Sequence, residues 1–333
     1  MSIGRQYPAF CASLVTNFNR ASHASTSGRR TVRPPYNQRS DNQEVLDEVL
    51  DILIAGVTRG AVEVLAVRGA GAFTGQYKDA TELVTLADQR SDAAILEIFE
   101  SRFGALDASI SFRLEESGTT GAESARWVGA DPLDGTNHFA AGGVAYSVQA
   151  HYVEDGVPLV GVVFQPEVYL PLAEVGRCVG RLGYAIKDRG AFVQRTEFTG
   201  TDFVRSAERR ITKPALVEVR RYVSCVPLST KMKPEEWKRA ERVLGSGIVA
   251  VTTGVGGAGG NVMMTIFGGQ HVYANLGAGE DLDLIPPQVI ALEAGMTVWG
   301  VDRKPPVWNV RKQPFIVAPN AEIAERFLQA AGL

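Results

Sequence analysis

The segment Asp131-Pro132-Leu133-Asp134-Gly135-Thr136 constrains this chain more than any other. Two carboxylates stand three positions apart, around a proline and ahead of a Gly-Thr pair. Proline fixes its own φ and glycine permits a tight reversal, so the backbone bends here and the two acids converge. Converging carboxylates repel unless a cation lies between them. A hard divalent ion with oxygen ligands suits that position, and magnesium takes carboxylates, waters and substrate phosphate. Asp, Pro and Gly also build plain surface turns, so the segment needs partners before it defines a site.

Two other acidic features offer themselves. Glu115-Glu116-Ser117-Gly118 closes a strand-like stretch, although paired glutamates are also common on solvated faces. Asp283 stands ten residues before Glu293-Ala294-Gly295, just ahead of a helix expected over 286–294, where an acid also serves as a cap. Asp281, in the acidic run Glu280-Asp281-Leu282-Asp283, competes with Asp283 for the same role.

The bulk composition narrows the field. A chain of 333 residues with 45% hydrophobic and 21% charged residues can bury one large core or two medium ones. A net charge of -3 argues against a nucleic-acid partner held by overall basic charge, and no apolar run reaches the roughly 18 residues of a membrane helix. Three scattered cysteines, Cys11, Cys178 and Cys225, make neither a disulfide framework nor a zinc site. No Ser/His/Asp or cysteine nucleophile motif stands out. Residues 1–42 are arginine-rich, with no acid before Asp41, and are read as a basic, disordered tail. The same composition fits an organelle import segment, so the expected location is cytoplasmic with import as the alternative.

Order is expected from Asp41, where Asp41-Asn42-Gln43-Glu44 looks like a helix cap followed by apolar residues at helical spacing. Gly69 to Gly75 reads as a loop, and a second helix is expected over 87–103. Strands are expected over 109–114, 144–150 and 159–164, the last two joined by the turn Glu154-Asp155-Gly156. Further on, the pattern gives strands over 214–223, 247–252 and 271–274. It gives helices over 234–244, 261–267, 286–294 and 321–331. An N-terminal α+β half over 43–200 and a C-terminal α/β half over 201–333 follow, packed together without a linker.

The ordered set of Glu-Glu-Ser, Asp-Pro-Leu-Asp-Gly-Thr and a distant Asp followed by Glu-Ala-Gly resembles the inositol monophosphatase family. That family sits within the lithium-sensitive, magnesium-dependent phosphatases. Leu83-Val84-Thr85-Leu86-Ala87-Asp88 resembles the family's Thr-x-x-Asp segment. The resemblance implies an α/β fold layered as an αβαβα sandwich, a homodimer, two or three magnesium ions and a small-molecule phosphate ester as substrate. It implies that Glu115, Asp131 and the Leu133 carbonyl hold one ion, and that Asp131, Asp134 and Asp283 hold a second. Asp88 would reach a third through water, Thr136 with Glu115 would activate the attacking water, and the amides of Gly135 and Thr136 would hold the phosphate.

Departures from the family pattern bear on the substrate. Asn137-His138-Phe139 alters the residues after Gly-Thr, and Leu282 stands where a tryptophan is usual. Asn275 replaces a carboxylate that contacts substrate hydroxyls, and the glycine-rich stretch from Gly254 to Gly260 replaces a Gly-Thr-Ala segment. Polyol phosphates are therefore expected. 3'-Phosphonucleotides, histidinol phosphate and a non-catalytic metabolite binder are the alternatives.

Overall fold

The computed structural model describes residues 41–72, 75–77, 83–121, 124–168, 178–215, 219–228, 232–254 and 256–333, the side chains of 41–43, 77 and 278 excepted. The tail assigned to 1–42, and the cap expected from the first side chains of the helix at Asp41, therefore lie almost wholly outside the described residues.

Helix α1 (Asp41–Gly69) leads through the short strands β1 (Gly75–Tyr77) and β2 (Leu83–Thr85) to helix α2 (Leu86–Leu106). Then come β3 (Ser111–Leu114), β4 (Gly118–Thr120), β5 (Arg126–Asp134), the one-turn α3 (Thr136–Ala140), β6 (Ser147–Glu154) and β7 (Val157–Gln165). Strands β8 (Val179–Ile186), β9 (Gly190–Phe198), β10 (Phe203–Arg205) and β11 (Arg209–Ile211) complete a nine-stranded sheet in the order β10-β9-β8-β7-β6-β5-β3-β4, with β11 also on β9. The remainder is β12 (Tyr222–Cys225), α4 (Pro234–Gly245), β13 (Val249–Thr252), α5 (Ala258–Ile266), β14 (Val272–Glu280), α6 (Asp281–Glu293), β15 (Thr297–Trp299), β16 (Lys312–Ala318) and α7 (Ala321–Ala331). Its strands form a five-stranded sheet in the order β13-β12-β14-β16-β15.

Side-chain alternation explains the layering. On β7, Val160, Val162 and Phe164 pack with α1 and α2, while Val163 faces the opposite way, against α5 and α6. Both faces are apolar because both are covered. The second sheet repeats the pattern. Phe315 and Val317 of β16 join the α5–α6 core, whereas Ile316 and Ala318 join Phe327 and Leu328 of α7. Three cores thus join five layers, α1/α2, the large sheet, α5/α6, the small sheet and α4/α7, the middle core reaching both sheets. This is the αβαβα sandwich expected. No helix among the described residues is long and apolar enough to cross a membrane.

Three readings of local structure change. The strand expected over 214–223 is confined to its last two residues and runs on to Cys225 as β12; of the rest, the described residues 214–215 and 219–221 lie outside any strand. Helix α6 begins at Asp281, five residues before the proline taken as its start, so Pro286 and Pro287 lie inside it. Asp283 therefore sits in the first turn rather than ahead of the helix. The segment 131–134 is not a free turn but the bulged end of β5. Glu293, useful as a spacing marker, works at a distance from the acids: its carboxylate accepts the amides of Asp188 (2.7 Å) and Gly190 (2.6 Å) at the β8–β9 turn.

Candidate metal centre

The bulge in β5 explains how two acids three positions apart come to face one point. In a regular strand, residues i and i+3 point to opposite faces. Here Asp131 pairs with Gln149 and Asp134 with Ser147, so β5 spends one residue more than β6 across this interval. That extra residue returns both carboxylates to one side. Pro132, which cannot donate to a ladder, sits in the bulge.

Each acid is then held by its own neighbours. Asp131 accepts the Leu133 amide at 2.9 Å. Asp134 accepts the Ser147 hydroxyl at 2.8 Å and the amides of Ala258 and Gly259, at 2.7 and 3.0 Å, at the start of α5. A carboxylate at a helix N-terminus takes amides that have no partner within the helix. The glycine-rich stretch makes this approach possible. A Cβ on Gly257 would lie 1.9 Å from an Asp134 carboxylate oxygen, and one on Gly256 1.9 Å from the Ala145 carbonyl.

Carboxylate oxygens of Asp131, Asp134 and Asp283 lie within 4.8 Å of one another. Burial, with the charges of Glu115, Asp283 and Asp134 added, holds the Asp131 carboxyl well above its usual range. Burial, then Asp134 and Glu115, does the same to Asp283. Burial also raises Asp134, against the lowering effect of the Ser147 and α5 hydrogen bonds. Acids so crowded are protonated at a cost or neutralised by a cation. Oxygen donors at this spacing fit a hard divalent ion, whose opposite ligands are about 4.2 Å apart for magnesium.

Glu115 stands slightly apart. It is exposed on the turn after β3, and the Asp131 carboxyl reaches it with a hydrogen bond. With Asp283 it lines a cavity of about 450 Å3 that also meets Arg113 and Arg311. Asp281 is drawn away from the cluster. Its carboxylate lies 3.7 Å from Arg113 and accepts the Leu282 amide, so the geometry groups Asp283 with the other acids. Asn275 lines a second cavity of about 280 Å3 with Asp283, Lys233, Glu236 and Lys312.

Helix α2 presents one polar face to these segments. Asp88 closes a capping box with Thr85 and accepts the Thr136 hydroxyl at 2.8 Å. Thr136 lies 3.1 Å from the Leu133 carbonyl through the same hydroxyl. Gly135, at φ 99°, occupies the left-handed region that starts α3. Ser91 donates to the Pro132 carbonyl at 2.8 Å. Asp92 accepts the Glu116 amide at 3.1 Å and the Ser117 hydroxyl. Ser91, Asp92 and Ser147 were not singled out in the sequence. The signal for the first two was there: polar residues one turn beyond Asp88, on one face of a helix already expected.

The fold and the site together define a five-layer α/β sandwich with buried acids gathered around a bulged strand end. The chain is a member of the inositol monophosphatase family, whose model matches residues 45–332. It is 32% identical over 136 residues to an inositol-1-monophosphatase from a Synechocystis strain, an alignment spanning 40% of this chain and 46% of that relative. Among solved structures, an inositol monophosphatase from Zymomonas mobilis matches with a TM-score of 0.64 at 15% identity, over 89% of this chain and 100% of that one. Its counterpart from Anabaena (Nostoc) matches with a TM-score of 0.59 at 22% identity, over 87% and 96%.

Proposed function

We propose that this protein hydrolyses the phosphate monoester of a small polyol, an inositol phosphate or a sugar phosphate, with magnesium as its cofactor. The observation that carries the reading is the meeting of Asp131, Asp134 and Asp283 beside Glu115 and Thr136. In this reading Glu115, Asp131 and the Leu133 carbonyl hold one ion, Asp131, Asp134 and Asp283 a second, and Asp88 reaches a third through water.

When bound, the ions offset the charge of the ester dianion, lower the pKa of water and stabilise the departing alkoxide. The chain's own residues orient the reactants. Thr136 gives its hydroxyl hydrogen to Asp88, which leaves the hydroxyl oxygen to accept a hydrogen bond from the attacking water, with Glu115 beside it. The amides of Gly135 and Thr136 donate to phosphate oxygens, as amides at the start of a helical turn do. Asn275 both donates and accepts, which suits contact with a neutral hydroxyl. The cavity at Asn275 mixes Lys233 and Lys312 with Glu236, which favours a neutral polyol over a nucleotide or an amino alcohol.

A homodimer and lithium sensitivity complete the proposal. We place the enzyme in the cytoplasm, with organelle import through residues 1–42 as the alternative. A panel of phosphate esters assayed for released phosphate, with and without lithium, tests it. Turnover of a cyclitol or sugar ester, inhibited by lithium, is expected. Turnover confined to nucleotide or amino-alcohol esters would contradict the substrate class.

A further inference from the structure

We infer that Asp92 is the positioning residue for Glu115, an inference that rests on Glu115 being a metal ligand. Glu115 lies on a three-residue turn between two short strands and is itself exposed, so the backbone of that turn sets where its carboxylate starts from. The turn is fixed from below. Asp92 is buried at 2% exposure, and its two carboxylate oxygens take the Glu116 amide and the Ser117 hydroxyl. These are the two residues that follow Glu115. On the same helix Asp88, one turn earlier, holds Thr136, and Ser91, the residue before Asp92, holds the Pro132 carbonyl. A single rigid helix therefore sets the separation between the Glu115 turn and the 131–136 segment. Asp92 is the side chain through which it grips the former.

Residues that orient a metal ligand without touching the metal are worth about 10–100-fold in affinity. Calorimetric titration of the full-length chain with Mn2+ tests the assignment and needs no turnover. Asp92→Ala is expected to weaken Mn2+ binding by about tenfold or more and to raise the magnesium needed for half-maximal activity more than it lowers kcat. Ser117→Ala, which removes one of the two bonds, is expected to fall between Asp92→Ala and the unaltered protein, and serves if Asp92→Ala does not fold. Because Asp92 is placed to act through Glu115, the double variant Asp92→Ala/Glu115→Gln is expected to bind Mn2+ no more weakly than Glu115→Gln alone.

Unchanged Mn2+ affinity in Asp92→Ala, multiplying losses in the double variant, or a Glu115→Gln variant that binds Mn2+ as tightly as the unaltered chain would each overturn the assignment. A protein that binds Mn2+ but hydrolyses no ester would instead contradict the proposed function, with the coupling between positions 92 and 115 still measured.

Discussion

At the scale of single residues, the centre is a balance between repulsion and hydrogen bonding. Asp131→Asn keeps the shape of the side chain and removes its charge from a buried, acid-rich position. It is expected to abolish phosphate release while leaving circular dichroism unchanged. In chelator, its melting temperature at pH 7 should equal or exceed that of the unaltered protein, because a repelling charge has gone. Gly257→Ala makes the opposite kind of test, adding one methyl group 1.9 Å from the Asp134 carboxylate. Either Asp134 or the start of α5 must move. A displacement of about 1 Å costs about 100-fold in turnover, measurable as kcat against a control such as Gly245→Ala, where a Cβ meets open space.

The acids also dictate a pH dependence. A carboxyl whose pKa is higher in the folded state holds more protons there than in the unfolded chain, so stability falls as pH rises above the unfolded value of about 4. The raised Asp131, Asp134 and Asp283 are all of this kind. The metal-free protein is therefore expected to melt at progressively lower temperature as pH climbs from about 4 towards neutrality. The gain on adding Mg2+ should grow over the same interval. A metal-free melting temperature that rises across this range would show that these carboxyls are not the crowded groups described.

At the scale of elements, the account turns on helices that serve two partners at once. Helix α5 caps Asp134 with its N-terminal amides, α2 registers the 115–117 and 131–136 segments, and α6 carries Asp283 in its first turn. Much of this was legible in advance. Helices α2, α4 and α7 follow from apolar spacing, and the β6–β7 hairpin from its Asp155-Gly156 turn, where both residues take positive φ. The start of α6 was not, because proline favours the first position of a helix and two prolines inside one mislead the reading. The β5 bulge was also hidden: the register with β6 that creates it depends on pairing over a distance. Helical spacing puts Ser91 and Asp92 on the face of Asp88, but neither they nor Ser147 show in the sequence which segment they hold. Their partners lie 41, 24 and 13 residues away in the chain.

At the scale of the whole molecule, α5 and α6 form the layer shared by both sheets. Ile290 of α6 is fully buried in that layer. Ile290→Ala is expected to cost about 2–5 kcal/mol and to lower a single unfolding transition seen by both tryptophan fluorescence and circular dichroism. Two separate transitions would mean that the sheets unfold independently of the shared layer. The five-layer order came from the family resemblance rather than from periodicity, since alternation reveals a covered face but not what covers it.

The most direct test of the central claim is phosphate release from a polyol phosphate by the purified full-length protein in Mg2+, in excess chelator, and by Asp131→Asn in Mg2+. The account predicts release in the first case alone, restored when Mg2+ is returned after chelation. Release that persists in chelator, or that survives Asp131→Asn, would contradict a hydrolase built on the Asp131–Asp134–Asp283 cluster.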